Sequence, residues 1–134
     1  MVMAIFESTE KMYEVLGALF RKLMSDPVMG PKFQDSNIVI KFGIHEPDGQ
    51  IWLTTTGEVI CGSPAEEIKP TIEMTLSGDS CHDFWLQKLS MPIALAKGKI
   101  KAKGPMPKVL KLLPLLKPAY KAYPDIAREH GLIA

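Results

Sequence analysis

The chain reads as an α+β domain, and three observations predict it. Residues 8–25 repeat their apolar side chains at helical spacing, and residues 38–44 and 71–77 repeat theirs at every second position. Residues 80–130 then return to helical segments, interrupted by prolines and by one short lysine-rich strand. A length of 134 residues, with 46% hydrophobic and 23% charged side chains, suits a single domain with a substantial core and is too apolar for disorder.

The first helix is expected over Ser8–Ser25. Met12, Val15, Leu16, Leu19, Phe20, Leu23 and Met24 keep the i, i+3, i+4 rhythm, and Ser8 or Thr9 is placed to cap its start. Asp26-Pro27 ends it, because a residue preceding proline is pushed out of the helical region. A short loop or helical turn, Val28–Gln34, follows.

The period then changes to two. In NIVIKFGIH, Ile38, Ile40, Phe42 and Ile44 share one face, while Val39, Lys41 and Gly43 share the other. EPDGQ is a turn, and IWLTTTGEVICG supplies one or two further strands. Ser63-Pro64-Ala65-Glu66 has the form of a capping box with proline at the first helical position, so a helical turn or two is expected there. TIEMTLS places Ile72, Met74 and Leu76 inward and Thr71, Glu73 and Thr75 outward, the pattern of a sheet covered on one face only.

SCHDFWLQKL reads as a second helix, with Ser80 and Asp83 spaced as a capping box. Cys81, Phe84, Trp85 and Leu89 form its apolar stripe, and His82 is assigned to its polar side. Pro92 opens a short apolar helix. Lys99–Lys103 is the last strand, with Ile100 and Ala102 toward the core and Lys99, Lys101 and Lys103 toward water. A leucine-rich helix begins near Pro105 and is expected to kink or split at Pro114, whose ring removes the hydrogen bond to the Leu110 carbonyl. A final helical piece over Pro124–His130 ends at Gly131.

Charge is segregated along the chain. Residues 1–96 carry 7 basic and 13 acidic side chains, a net −6, and residues 97–134 carry 9 and 2, a net +7. The basic third suits an anionic membrane surface, a phosphate-bearing ligand, or the acidic remainder of the same fold. Lys99, Lys101 and Lys103 are its candidate basic face, although strand alternation by itself explains their spacing. Nucleic acid is not expected as a partner, because no aromatic residue for base stacking lies between Lys97 and Lys117.

Catalytic and metal motifs are absent from the sequence. His45, His82 and His130 are scattered, with no i, i+4 pair and no metal-ligand spacing, so no metal or other cofactor is expected. Cys61-Gly62-Ser63 is not a nucleophile elbow, and GKIKAKG lacks the spacing of a phosphate loop. Glu66-Glu67 and Asp79/Asp83 are carboxylate pairs, but capping explains Glu66 and Asp83 more simply. Cys61 and Cys81 lack a CxxC context and suit reduced thiols. MVMAIF has neither the basic flank nor the apolar length of a signal peptide, and GLIA is no usual address. A cytoplasmic location is the expectation.

The positive signal is apolar excess. The chain has 8 methionines, among them Met12, Met24, Met74, Met91 and Met106 on presumed interior faces, and methionine tolerates irregular packing around flexible ligands. Leu112–Leu116 widens the apolar surface of its helix beyond one stripe, so a cavity, a partner or a membrane must cover the rest.

At HDFWLQKLSMPIALAKGKIKAKGPMPKVLKLLP the chain resembles the sterol carrier protein 2 family. The resembling features are the aromatic pair Phe84-Trp85 in a helix, the apolar helix around Pro92–Leu95, the lysine-alternating strand between glycines, and the leucine-rich helix after it. The resemblance runs over residues 8–122 and is most specific over 82–113. It implies a five-stranded, mainly antiparallel sheet with helices over one face, enclosing a hydrophobic tunnel. The implied function is non-catalytic binding and transfer of a fatty acid, fatty acyl-CoA, sterol or other apolar lipid.

By that resemblance Ile72, Met74, Leu76, Ile100 and Ala102 would form the tunnel floor and Phe84 and Trp85 a side wall, with Leu95 a further lipid-binding residue. Met106, Val109, Leu110, Leu113 and Leu116 would form a roof. Ala102 stands where a larger residue is common, and the peroxisomal tripeptide of many members is missing. A long acyl chain is therefore favoured over a sterol. The alternative is a protein-interaction module, or an accessory module of a lipid-metabolising enzyme, with a solid core.

Overall fold

The structure, a computed structural model, describes residues 5–62, 68–115 and 117–132. The expected helical turn at Ser63–Glu66 lies outside the described residues. Helix α1 (Thr9–Met24) begins where Ser8 leaves the extended conformation and its hydroxyl accepts the Lys11 N–H at 3.1 Å. The whole apolar stripe from Met12 to Met24 is buried. After Asp26-Pro27 the chain turns into α2 (Met29–Asp35), which packs on α1.

Five strands follow the period-two reading: β1 (Ile40–His45), β2 (Gly49–Leu53), β3 (Val59–Cys61), β4 (Ile72–Ser77) and β5 (Ile100–Lys103). Their order in the sheet is β3-β2-β1-β4-β5. The central pair β1/β4 is parallel and the other pairings are antiparallel, so the sheet is mixed and mainly antiparallel. Register sets the core: Ile51, Phe42, Met74 and Ala102 form one row across the covered face, and Ile44, Leu76 and Ile100 form the next. Lys41 and Glu73 lie opposite each other on the other face and form an ion pair at 3.7 Å.

Helix α3 (Gly78–Trp85) starts earlier than the expected Ser80/Asp83 box. Ser77, the last residue of β4, is itself the cap, and its hydroxyl accepts the Ser80 N–H at 3.0 Å. No loop separates strand from helix, and Gly78 at the junction is pressed against the turn after β1: a Cβ there would stand 2.8 Å from the Glu46 carbonyl oxygen. The earlier start also corrects His82. Gly78, Cys81, His82 and Trp85 are the i, i+3, i+4, i+7 set, so the imidazole is buried rather than on a polar face. Its Nδ1 lies 2.6 Å from the Tyr123 hydroxyl, which makes that burial tolerable.

Helix α4 (Met91–Lys97) has proline in its first turn and ends at Gly98, whose φ of 73° gives the left-handed cap that turns the chain into β5. Helix α5 (Met106–Leu115) contains Pro114, and α6 (Lys117–Glu129) contains Pro124. The last helix thus begins well before the expected Pro124. Pro118 falls in its first turn, where the missing N–H has no intrahelical acceptor to lose. The spacing of Ala119, Tyr123, Ile126 and Ala127 gives α6 a continuous buried stripe against α1.

Candidate functional site

The site is built where three helix ends meet beside an aromatic cluster. Phe42 on the sheet stacks on Phe20 of α1 with ring centroids 5.1 Å apart, and Phe20 meets Trp85 edge-on at 5.5 Å. Trp85 in turn contacts Phe84 at 4.9 Å and Tyr120 of α6 at 5.7 Å. Edge-to-face geometry suits the ring quadrupoles, so this chain of rings is a rigid wall. Trp85 is completely buried, and Phe84 and Tyr120 stand at the outer end of the cluster.

Beyond them opens a cavity of about 400 Å³. Its apolar lining is Phe84, Leu89, Pro114 and Tyr120, and its polar lining is Gln87, Ser90 and Lys117. Volume and composition fall in the range of small-molecule sites, mostly apolar with a few polar groups to orient a ligand. Burial pushes the Tyr120 phenol up to about 12, so the ring offers a neutral wall with a hydroxyl. Burial likewise raises the Tyr123 phenol behind it and pushes the Cys81 thiol up to about 12.

The backbone at this cavity is unusual. Helix α3 ends in a Schellman motif, with the Gln87 N–H donated to the Phe84 carbonyl at 3.1 Å and the Lys88 N–H to the Asp83 carbonyl at 2.9 Å. The residue that such a motif holds in the left-handed region is usually glycine. Here it is Gln87, at φ 63°.

Among the residues expected from the sequence, Phe84 lines this cavity and Trp85 backs it. Ile72, Met74, Leu76 and Ile100 are buried in the sheet core and are not part of the cavity lining; Leu95 and Ala102 are half-buried. Leu110 departs from its expected roof position: 59% of its surface is exposed. The reason is the seating of α5, which packs on α2 and α6 and turns Leu110 toward solvent with Pro107, Lys111 and Pro114. Leu116 and the side chains of Met106, Val109 and Leu113 lie outside what is described. Lys99, Lys101 and Lys103 are exposed, as strand alternation requires.

Gln87, Leu89, Ser90, Pro114, Lys117 and Tyr120 were not among the site residues expected from the sequence, in which Leu89 stands only as part of a helix stripe and Pro114 only as a helix break. The signal for Tyr120 and Lys117 was the helical spacing of Ala119, Tyr123, Ile126 and Ala127, obscured by Pro118 and Pro124. Among the described residues no group of three or more His, Cys, Asp or Glu could hold a metal, and no helix is long and apolar enough to cross a membrane.

Residues 16–117 match the model of the SCP-2 sterol transfer family. Among solved structures, the apo form of Sterol Carrier Protein 2 from Yarrowia lipolytica is similar with a TM-score of 0.62 and 20% identity, covering 78% of this chain and 89% of that one. The solution structure of the sterol carrier protein domain 2 of Helicoverpa armigera is similar with a TM-score of 0.64 and 20% identity, covering 81% of this chain and 89% of that one. A stereoselective inverting sec-alkylsulfatase from Pseudomonas sp. also shares the fold, with a TM-score of 0.50 and 16% identity over 63% of this chain, which corresponds to 14% of that enzyme. Among curated protein sequences none matches significantly. With most of its length matched and the sheet and helices of these structures reproduced, the chain belongs to the SCP-2 sterol transfer family.

Proposed function

We propose that the protein binds single apolar lipids and transfers them between membranes, and that the ligand is a long acyl chain rather than a sterol. The observation that carries this reading is the cavity of about 400 Å³ walled by Phe84, Leu89, Pro114 and Tyr120 in a chain of this family. The lining is mostly apolar with a few polar groups, which suits a chain whose apolar tail lies along the aromatic wall. Trp85 backs this space through its contacts with Phe84 and Tyr120, while Ile72, Met74, Leu76 and Ile100 are in the hydrophobic core and Leu95 and Ala102 are packed against it. Met106, Val109, Leu110 and Leu113 belong to α5, the helix that would move when lipid enters. The exposed lysines of α5 suit an anionic bilayer as the surface where exchange takes place, and Lys99, Lys101 and Lys103, on the other face of the sheet, are the alternative contact. The free thiols Cys61 and Cys81 suit work in the cytoplasm.

Denaturing extraction and mass spectrometry of the purified protein test this directly, together with thermal shifts on adding laurate or palmitate. A carrier releases a lipid, or gains stability with acyl chains by mass action. Absence of both would leave a protein-interaction module. The alkylsulfatase likeness supports a second reading, an accessory module that presents an apolar substrate to an enzyme. Acyl binding by the isolated chain with no transfer between vesicles would favour it.

A further inference from the structure

Beyond lipid carriage, we infer that strand β5 is a docking edge for another protein. It accepts an acidic segment in extended conformation, with carboxylates at every second residue, as a sixth strand of the sheet. β5 ends the strand order and pairs with β4 alone, in a continuous register from Leu76↔Ile100 to Glu73↔Lys103. Neither bulge nor proline interrupts it, so the backbone N–H and C=O groups that point away from β4 form a regular ladder edge. The opposite edge is poorly suited, because β3 has only three residues and packs against α1.

The side chains decide which strand fits. Lys99, Lys101 and Lys103 are exposed at alternate positions on one face. Across β4, Lys101 meets Thr75 and Lys103 meets Glu73, whose carboxylate is paired with Lys41 at 3.7 Å. Among the described residues none of these three lysines forms an ion pair, and the sequence has no acidic residue between Asp83 and Asp125. A second copy joined edge to edge would set lysine against lysine, so charge closes this edge to self-association. The same charges attract a strand that carries Asp or Glu at alternate residues. On the covered face Ala102 is half-buried, and α4, which packs on β5, leaves Ile93 53% exposed. Apolar surface therefore remains near this margin, and the intervening residues of the partner should be apolar.

The probe is a blocked seven-residue peptide of alternating glutamate and valine. Binding is read by fluorescence anisotropy and by hydrogen exchange of the Ile100–Lys103 amides. The acidic peptide should bind and slow that exchange, and a lysine–valine peptide should do neither. N-methylating the amides of the acidic peptide keeps every charge but removes the ladder donors, and should abolish binding. Lys99→Glu with Lys101→Glu should weaken the acidic peptide by about tenfold and admit the lysine–valine peptide instead. Unslowed exchange at β5, or equal binding of the N-methylated peptide, overturns the proposal and leaves the carrier reading intact. Exchange slowed by phosphatidylserine vesicles but not by the acidic peptide assigns the strand to the bilayer, and overturns it as well.

Discussion

Cys81 is wholly buried, and burial pushes its thiol from 9.0 up to about 12. Tyr120 moves the same way, from 10.0 up to about 12. Both groups fold in their neutral forms, so the sign follows from linkage: the unfolded chain loses these protons first as pH rises. The stability they support is fully present below about pH 9 and is lost progressively through pH 12. Melting temperature should therefore fall across that window, and Cys81→Ala should flatten the slope there even if it lowers the whole curve by opening a small void. An unchanged slope in the variant would show that the thiol does not carry the effect. At this scale the sequence was legible wherever one spacing decided the face. Ile72, Met74 and Leu76 are buried because strand alternation leaves no second choice. His82 and Leu110 were not legible, because a histidine on an apolar stripe is settled by a distant hydroxyl and a leucine on a many-sided apolar helix is settled by where that helix sits.

Helices and strands were readable where a single period ran uninterrupted, as in α1, β1 and β4. The C-terminal helices were harder because prolines break the pattern for two different reasons. Pro118 occupies the first turn of α6, where its missing N–H has no intrahelical partner to lose, while Pro124 sits in the interior and leaves the Tyr120 carbonyl without its helical donor. The sequence shows both as the same residue. The cavity depends on the same helix, so Tyr120 and Lys117 are illegible in a sequence that does not show α6 beginning at Lys117. The two prolines make a contrast that can be measured. Pro124→Ala restores a donor and removes a ring from the helix interior, and should stabilise by up to about 3 kcal/mol. Pro118→Ala should change stability little. Urea denaturation followed by far-UV circular dichroism reads both, and equal effects would refute this account of α6. The aromatic wall gives the opposite sign: Phe42→Ala removes the ring under Phe20 and should cost about 3–5 kcal/mol.

Over the whole molecule the charge segregation seen in the sequence becomes a surface. All nine lysines between Lys88 and Lys121 are exposed, and no acidic residue interrupts that stretch. On α5 the exposed side chains include Pro107, Leu110, Lys111 and Pro114, spaced i, i+3, i+4 and i+7, so they form one face. Lys108 borders that face. Pro114 also lines the cavity, so the face runs to the cavity mouth. A leucine 59% exposed among lysines suits shallow insertion between anionic head groups, where the lysines supply the attraction and the leucine the apolar contact. Trp52 and Trp85 are buried, so Leu110→Trp adds a single exposed fluorophore to the proposed docking face. Phosphatidylcholine vesicles containing phosphatidylserine should shift its emission to the blue, and phosphatidylcholine alone should not. Each lysine near an anionic surface is worth about 1 kcal/mol, so Lys108→Gln with Lys111→Gln should weaken vesicle binding by roughly 10- to 30-fold and reduce its salt dependence. Replacing Lys101 and Lys103 on the far side of the sheet should do less. If emission stays unshifted while the protein still sediments with the vesicles, docking occurs through another face. If the β5 substitutions weaken binding more than the α5 pair, the strand lysines are that face, and the leucine-rich helix is left to cover the cavity alone.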